Sequence, residues 1–344
     1  MPTSPSTPSS PSTPSQRQHR SRRPALISGV AAFCVGALTA LQSRINGELS
    51  YVTGNGIEAA VVSFSSGWII LTVMLVAWRP MRTGLGQVAS ALRRGELRWW
   101  QVLGGLLGGF FVAVQSTAVP LIGVAVFTVA VVAGQSANSL VVDRIGLGPA
   151  GRQDITLARV LSAILAVVAV GVAVSDRWNE PGSSSIPAVI AALVAGLAIA
   201  VQQAINGRVG RAAGNAFTAT WVNFSVGCLL LGSALGVAWA LTANDPAPLP
   251  SQPWWLYLGG VIGVLFIATA SWVVQVLGVL LFALLSIAGQ LSGALVIDVV
   301  FPTAGATFHV SLVLGVLLAG LAILVGAAPA WLASRRSDSQ RGAG

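Results

Sequence analysis

The sequence contains no lysine: all 19 basic residues among its 344 are arginine. That absence removes the P-loop lysine that holds ATP phosphates, the lysine that carries pyridoxal phosphate, and any lysine general base. Histidine is nearly as scarce. His19 and His309 lie at opposite ends of the chain, so neither a metal site nor a serine triad is expected. The two cysteines, Cys34 and Cys228, each sit inside an apolar run. They are too few for a zinc site or a disulfide framework and read as small buried hydrophobes. No cofactor is expected.

Charge is also in short supply. Charged residues make up 8% of the chain, hydrophobic residues 54%, and the mean hydropathy is +0.79. A soluble domain carries roughly a quarter charged residues, so most of this surface faces lipid. The net charge is +9. The arginines stand between apolar stretches rather than in one patch, which points to membrane orientation and not to nucleic acid.

Residues 1–24 are rich in Ser, Thr and Pro with four arginines behind. Such a segment buries no core and is expected to be a disordered cytoplasmic tail, not a cleaved signal. From Ala25 onward, ten apolar stretches alternate with polar breaks, at about 25–46, 57–78, 100–119, 121–142, 156–175, 186–206, 216–241, 254–274, 276–297 and 307–331. Each approaches the ~20 residues that carry a helix across ~30 Å of hydrocarbon. Residues 333–344 form a second cytoplasmic tail. With the N-terminus in the cytoplasm, seventeen of the nineteen arginines fall on the cytoplasmic side, and only Arg44 and Arg177 fall outside. The positive-inside rule therefore predicts both termini in the cytoplasm.

The chain also repeats itself. Residues 41–67 and 201–227 share eleven of twenty-seven positions at an offset of 160, including Gln42/Gln202, Asn46/Asn206, Gly54/Gly214, Asn55/Asn215, Phe64/Phe224 and Gly67/Gly227. A second block matches at an offset of 155. There Trp99-Trp100 pairs with Trp254-Trp255, Gly104 with Gly259, Gly108 with Gly263, Gln135 with Gln290 and Asp143 with Asp298. Shared apolar composition does not align Gln, Asn, Trp and Asp in this way. The unit holds five helices, an odd number, so the second copy starts on the opposite side of the membrane. The predicted fold is an all-α integral membrane protein of ten transmembrane helices in two inverted five-helix repeats, residues 25–178 and 179–332. Inverted repeats are the architecture of secondary transporters, with the substrate near the midplane.

These features resemble the drug/metabolite transporter (DMT) superfamily, an EamA-like basket of ten helices. The motif Leu41-Gln42-x-x-Ile45-Asn46-Gly47-x-Leu49, with Gly54-Asn55 and Phe64-Ser65-x-Gly67 after it, is similar to the YdcZ-type branch of inner-membrane exporters. The resemblance covers residues 25–330. It implies a bacterial inner-membrane protein with exporter activity and implies no particular substrate.

Polar residues within the apolar stretches are the candidate site. Gln42 and Asn46 are four apart and share one helix face, as do Gln202 and Asn206. With Gln135 and Gln290 they form a symmetric set, readable as a substrate pathway or as amides that join helices. Gln42, Asn46 and Gln290 are expected towards the outside, and Gln202, Asn206 and Gln135 towards the cytoplasm. Gly104, Gly108, Gly259 and Gly263 are expected to let helices pack closely. Glu58, Asp143 and Asp298 sit at helix ends, as candidates for proton or ion coupling or as interfacial anchors. The expected partners are a small-molecule substrate and the bilayer, with the chain a monomer or a homodimer. A secondary carrier is the leading function, and a channel or scaffold the alternative. An intramembrane enzyme lacks its parts, having no Ser–His pairing, no HExxH and no carboxylates paired on one helix.

Overall fold

A computed structural model describes residues 14–149, 151–177, 185–242, 253–302 and 309–341. Its α-helices are α1 (Pro14–Thr53), α2 (Gly56–Ala77), α3 (Arg79–Arg93), α4 (Gly104–Ile122), α5 (Val124–Arg144), α6 (Leu157–Ala173), α7 (Ser185–Ala213), α8 (Ala216–Thr242), α9 (Gly259–Val300) and α10 (Val310–Arg341). Among the described residues there is no strand. A lipid-facing chain must satisfy its backbone polar groups within each segment, and a helix does so. Seven helical segments are long and apolar enough to cross a membrane. Three shorter apolar helices, Leu157–Ala173, Trp254–Ile267 and Val310–Gly326, fall where the fifth, eighth and tenth stretches were expected.

Three features depart from the sequence reading. First, α1 begins at Pro14, so residues 14–24 of the tail expected to be disordered are helical. Beyond Pro14 the tail loses its prolines until Pro24, and the Gln/Arg run continues the helix that follows. Residues 1–13 of that tail lie outside the described residues. Second, the polar break after α2 contains a helix, α3. Its Met81, Gly84, Val88 and Ala91 are buried and follow the three-to-four spacing of an amphipathic face. Val88 and Ala91 pack on Val209, Ala213 and Ala219 of α7 and α8.

Third, the expected eighth and ninth helices are one helical run, α9. It is nevertheless not straight. Gly259 and Gly263 meet Asn46 and Gln42 of α1, whereas Ser286 and Gly289 meet Gly36 and Phe33. A straight helix would put Gly263 and Ser286 about 34 Å apart, but Gln42 and Gly36 are only about 9 Å apart along α1. The run therefore turns back on itself, with α1 alongside both arms. In the first half the same turn is made openly at Gly123, whose φ of 83° ends α4 and precedes α5. α7 packs alongside both α4 and α5.

Contacts come in pairs related by the two sequence offsets. A side chain on Gly36 would strike the Ser286 carbonyl, and one on Gly196 the Val131 carbonyl. Gly134 sits on Leu193 as Gly289 sits on Phe33. Gly67 touches Phe224 while Gly227 touches Phe64, and these two rings stack with centroids 4.8 Å apart. Phe64 and Phe224 are themselves equivalent positions of the sequence repeat, so their stack joins one half to the other. Next to it, a Cβ on Gly105 would collide with the Asn223 carbonyl oxygen. Gly105→Val is expected to push α4 off α8 and to cost about 1–3 kcal/mol, read as a lower Tm in detergent. Gly86→Ala is the control, because nothing lies within 4 Å of the added carbon.

Candidate functional site

α2 and α8 start alike. After Gly54 (φ 68°) and Gly214 (φ 60°), an asparagine caps each helix. Asn55 Oδ1 accepts from the Ile57 and Glu58 amides at 2.9 and 3.3 Å, and Asn215 Oδ1 from those of Phe217 and Thr218 at 2.8 and 3.4 Å. Left-handed glycines and Asn caps make tight corners, and these corners aim α1/α2 and α7/α8 at the middle of the bundle.

The motif amides meet there, but they are not used alike. Asn46 Nδ2 donates to Gln115 Oε1 at 2.7 Å, and Gln115 Nε2 donates to Ser43 Oγ at 2.7 Å. Asn46 is fully buried, and its Oδ1 has no partner among the described residues. On the other side Gln202 and Asn206 both donate to Asn223 Oδ1, at 3.0 and 3.2 Å. Gln135 Nε2 donates to Gln203 Oε1 at 2.9 Å. Gln42 and Gln290 are half-buried and have no hydrogen-bond partner among the described residues. Gln115, Asn223 and Gln203 were not singled out from sequence. Asn223 lies inside the aligned repeat block, but its counterpart is Ser63, and the change of residue type hid it. Gln115 has Ala270 at the equivalent position, so repetition gives no signal for it.

The four glycines expected to bring helices together do something more specific. A Cβ on Gly104 would lie 2.6 Å from Asn206 Oδ1, one on Gly108 would strike Gln202 Nε2, and one on Gly259 would strike Asn46 Oδ1. At Gly263 the neighbours are Phe224 Cζ at 3.5 Å and Gln42 Nε2 at 3.7 Å. These glycines make room for the amides. The close backbone approach belongs to the adjacent Gly105 and Gly260.

Between the halves lies a cavity of about 850 Å³. Gln42, Gln202, Gln135, Gln290 and Asn206 line it; Asn46 does not, being sealed behind Gln115. Much of the lining pairs by the two sequence offsets, as Gln42/Gln202, Ser63/Asn223, Phe64/Phe224, Phe111/Phe266 and Gln135/Gln290. Its extent does not repeat. Gly207, Gly210, Asn215, Ala216 and Thr220 at the α7–α8 corner belong to the wall. Their counterparts at the α1–α2 corner do not. There Ala59 and Ala60 are fully buried, Gly47 is against Val119 and Gly56 against Thr117 of α4. The cavity thus reaches the α7–α8 end and is shut at the α1–α2 end.

The carboxylates singled out from sequence lie outside the lining. Asp298 is buried and accepts the Val124 and Ala125 amides at 3.0 and 2.7 Å, which caps α5 across the fold. Asp143 pairs with Arg159. Glu58 is buried, with Oε1 taking Asn55 Nδ2 and Trp239 Nε1 at 3.3 Å each, while Oε2 has no partner among the described residues. Trp99 and Trp254 are exposed in the 3₁₀ turns that lead into α4 and α9, as interfacial indoles should be. Among the described residues no cluster of His, Cys, Asp and Glu could hold a metal.

The family described as "Putative inner membrane exporter, YdcZ" matches residues 27–172 and 187–325, well over half of the chain. No curated protein matches it.

Proposed function

The chain belongs to this family of inner-membrane exporters, and we propose that it is a secondary carrier that moves a small organic molecule by alternating access of one central cavity. The observation that carries the reading is the 850 Å³ cavity between two halves whose lining residues match across the repeat. Seven long spans, three shorter apolar helices and the paired contacts of Gly36/Gly196 and Gly67/Gly227 support a ten-helix inverted repeat as the frame of this carrier. Two nearly equivalent halves can each close one end of the cavity in turn. Gln42 and Gln290 then face the solute, while Asn46, Gln115 and Ser43 act as the gate at the closed end. With the arginines on the cytoplasmic side, the open end faces the cytoplasm, where an exporter loads. Of the three carboxylates, Glu58 is the one left as a coupling group, because Asp298 and Asp143 are engaged by a helix end and by Arg159.

A channel is disfavoured because the cavity is shut at one end. In proteoliposomes a carrier shows saturable flux and counterflow; unsaturable flux without counterflow would instead identify a channel, and no flux a scaffold. Orientation is tested separately. Alkaline phosphatase fused after residue 340 is expected to be inactive and a green fluorescent fusion bright, because both termini are cytoplasmic. Active phosphatase would reverse the assignment of the two faces.

A further inference from the structure

Among its described lining residues the central cavity offers no counter-charge to its contents, and on the carrier reading above this sets the class of solute. None of its described lining residues is an acid, an arginine or a histidine. Its polar groups are carboxamides and hydroxyls, and its apolar surface includes the rings of Phe64, Phe111, Phe224 and Phe266. Buried Asp298 and Glu58 and part-buried Arg208 face elsewhere. Asp298 holds the start of α5, Glu58 faces Asn55 and Trp239, and the Arg208 guanidinium donates to the Leu147 and Gly146 carbonyls at 2.5 and 2.6 Å. An ion entering this chamber gives up hydration and finds no charged partner among the described lining residues. Phenyl faces attract cations, but less than an unpaired ion loses on dehydration.

The free amides supply the other half of the argument. Gln42 on α1 and Gln290 on α9 line the cavity without a partner among the described residues. Each offers two N–H donors and a carbonyl acceptor. A cavity of 850 Å³ suits a drug-sized molecule. We infer that the transported solute is an uncharged amphipathic molecule, with an aromatic or apolar body against the phenyl rings and a hydrogen-bonding carboxamide or hydroxyl group between Gln42 and Gln290.

The test uses matched triads of one skeleton: benzamide, benzamidinium and benzoate, and the naphthalene analogues. Each compound is assayed at pH 7 for thermal stabilisation of the purified protein and for release from proteoliposomes. The carboxamides are expected to raise the Tm and to be released at least tenfold faster than from empty vesicles. The ionic members should do neither, and clamping the membrane potential should leave the flux unchanged. Gln42→Glu places a carboxylate in the wall and is expected to bring benzamidinium binding up at least tenfold, at the expense of benzamide. Stabilisation or release by the ionic members of the wild-type protein, equal to that by the carboxamides, overturns the solute class and leaves the carrier reading intact. Stabilisation by the carboxamides with no flux of any compound upholds the class and overturns the carrier. Neither stabilisation nor release by any member overturns the class.

Discussion

Gln115→Ala is expected to open the end of the cavity that the structure shows closed, and to raise labelling of a cysteine at Ser50 about tenfold. Ser50 is buried near the α1–α2 corner. The experiment uses purified protein with Cys34 and Cys228 replaced and a hydrophilic maleimide. Gln115 bridges α4 to both Asn46 and Ser43 of α1. Its counterpart in the second half is Ala270, which can make no such bond, so on the carrier reading proposed above the two ends are latched unequally. Amide bonds between membrane helices average ~0.6 kcal/mol each. Losing two removes about 1–2 kcal/mol from the closed state, or roughly tenfold in population. Asn46 adds to the bias. Its Oδ1 already lacks a partner when closed, and Gln115→Ala would orphan its Nδ2 as well. A buried orphan is costly, and opening lets water satisfy both atoms. Unchanged labelling at Ser50, with the protein folded, would show that Gln115 is helix glue and that the gate lies elsewhere.

Much of this architecture was legible because lipid imposes one rule on every span. Ala25 onward reads as apolar runs of spanning length, and the helices α2, α5, α7 and α8 fall where those runs fall. Gln42, Gln202, Gln135 and Gln290 stood out because duplication aligned them and an amide in an apolar run is conspicuous, but the sequence left open whether they line a pathway or join helices. What repetition could not carry was asymmetry. Gln115 has an alanine as its partner position and Asn223 a serine, so comparing the halves draws no attention to either. Yet these two side chains hold Asn46, Gln202 and Asn206. The helix α3 escaped for a different reason. Its arginines fixed attention on orientation, although Met81, Val88 and Ala91 already carried the helical period. Asp298 was legible as a helix-end acid, but its actual partners, the Val124 and Ala125 amides, lie over 170 residues away. No local pattern joins them, because the turn at Gly123 exposes those amides only once α4 and α5 have folded apart.

Gln42→Leu is expected to lower transport by tenfold to a hundredfold while leaving Tm and membrane abundance nearly unchanged. The two effects separate because of what the amide does and does not touch. Gln42 lines the cavity and has no hydrogen-bond partner among the described residues, so leucine breaks no internal bond. The solute, by contrast, is expected to lose a hydrogen bond to the wall, which leaves its own polar group unpaired. That costs about 1–3 kcal/mol. Gln202→Leu is the informative comparison. Gln202 is bound to Asn223 and fitted against Gly108, so its loss should reduce both transport and stability, the latter by about 1 kcal/mol or less. Asn206 still donates to Asn223 Oδ1, which limits the damage. The repeat makes the two glutamines look interchangeable. Both line the cavity, but the structure leaves Gln42 without a partner among the described residues and ties Gln202 to Asn223. In the opposite conformation the roles should exchange, with Gln202 released to the cavity. A Gln42→Leu protein that transports normally but melts several degrees lower would show that this amide serves packing, and would remove Gln42 from the pathway.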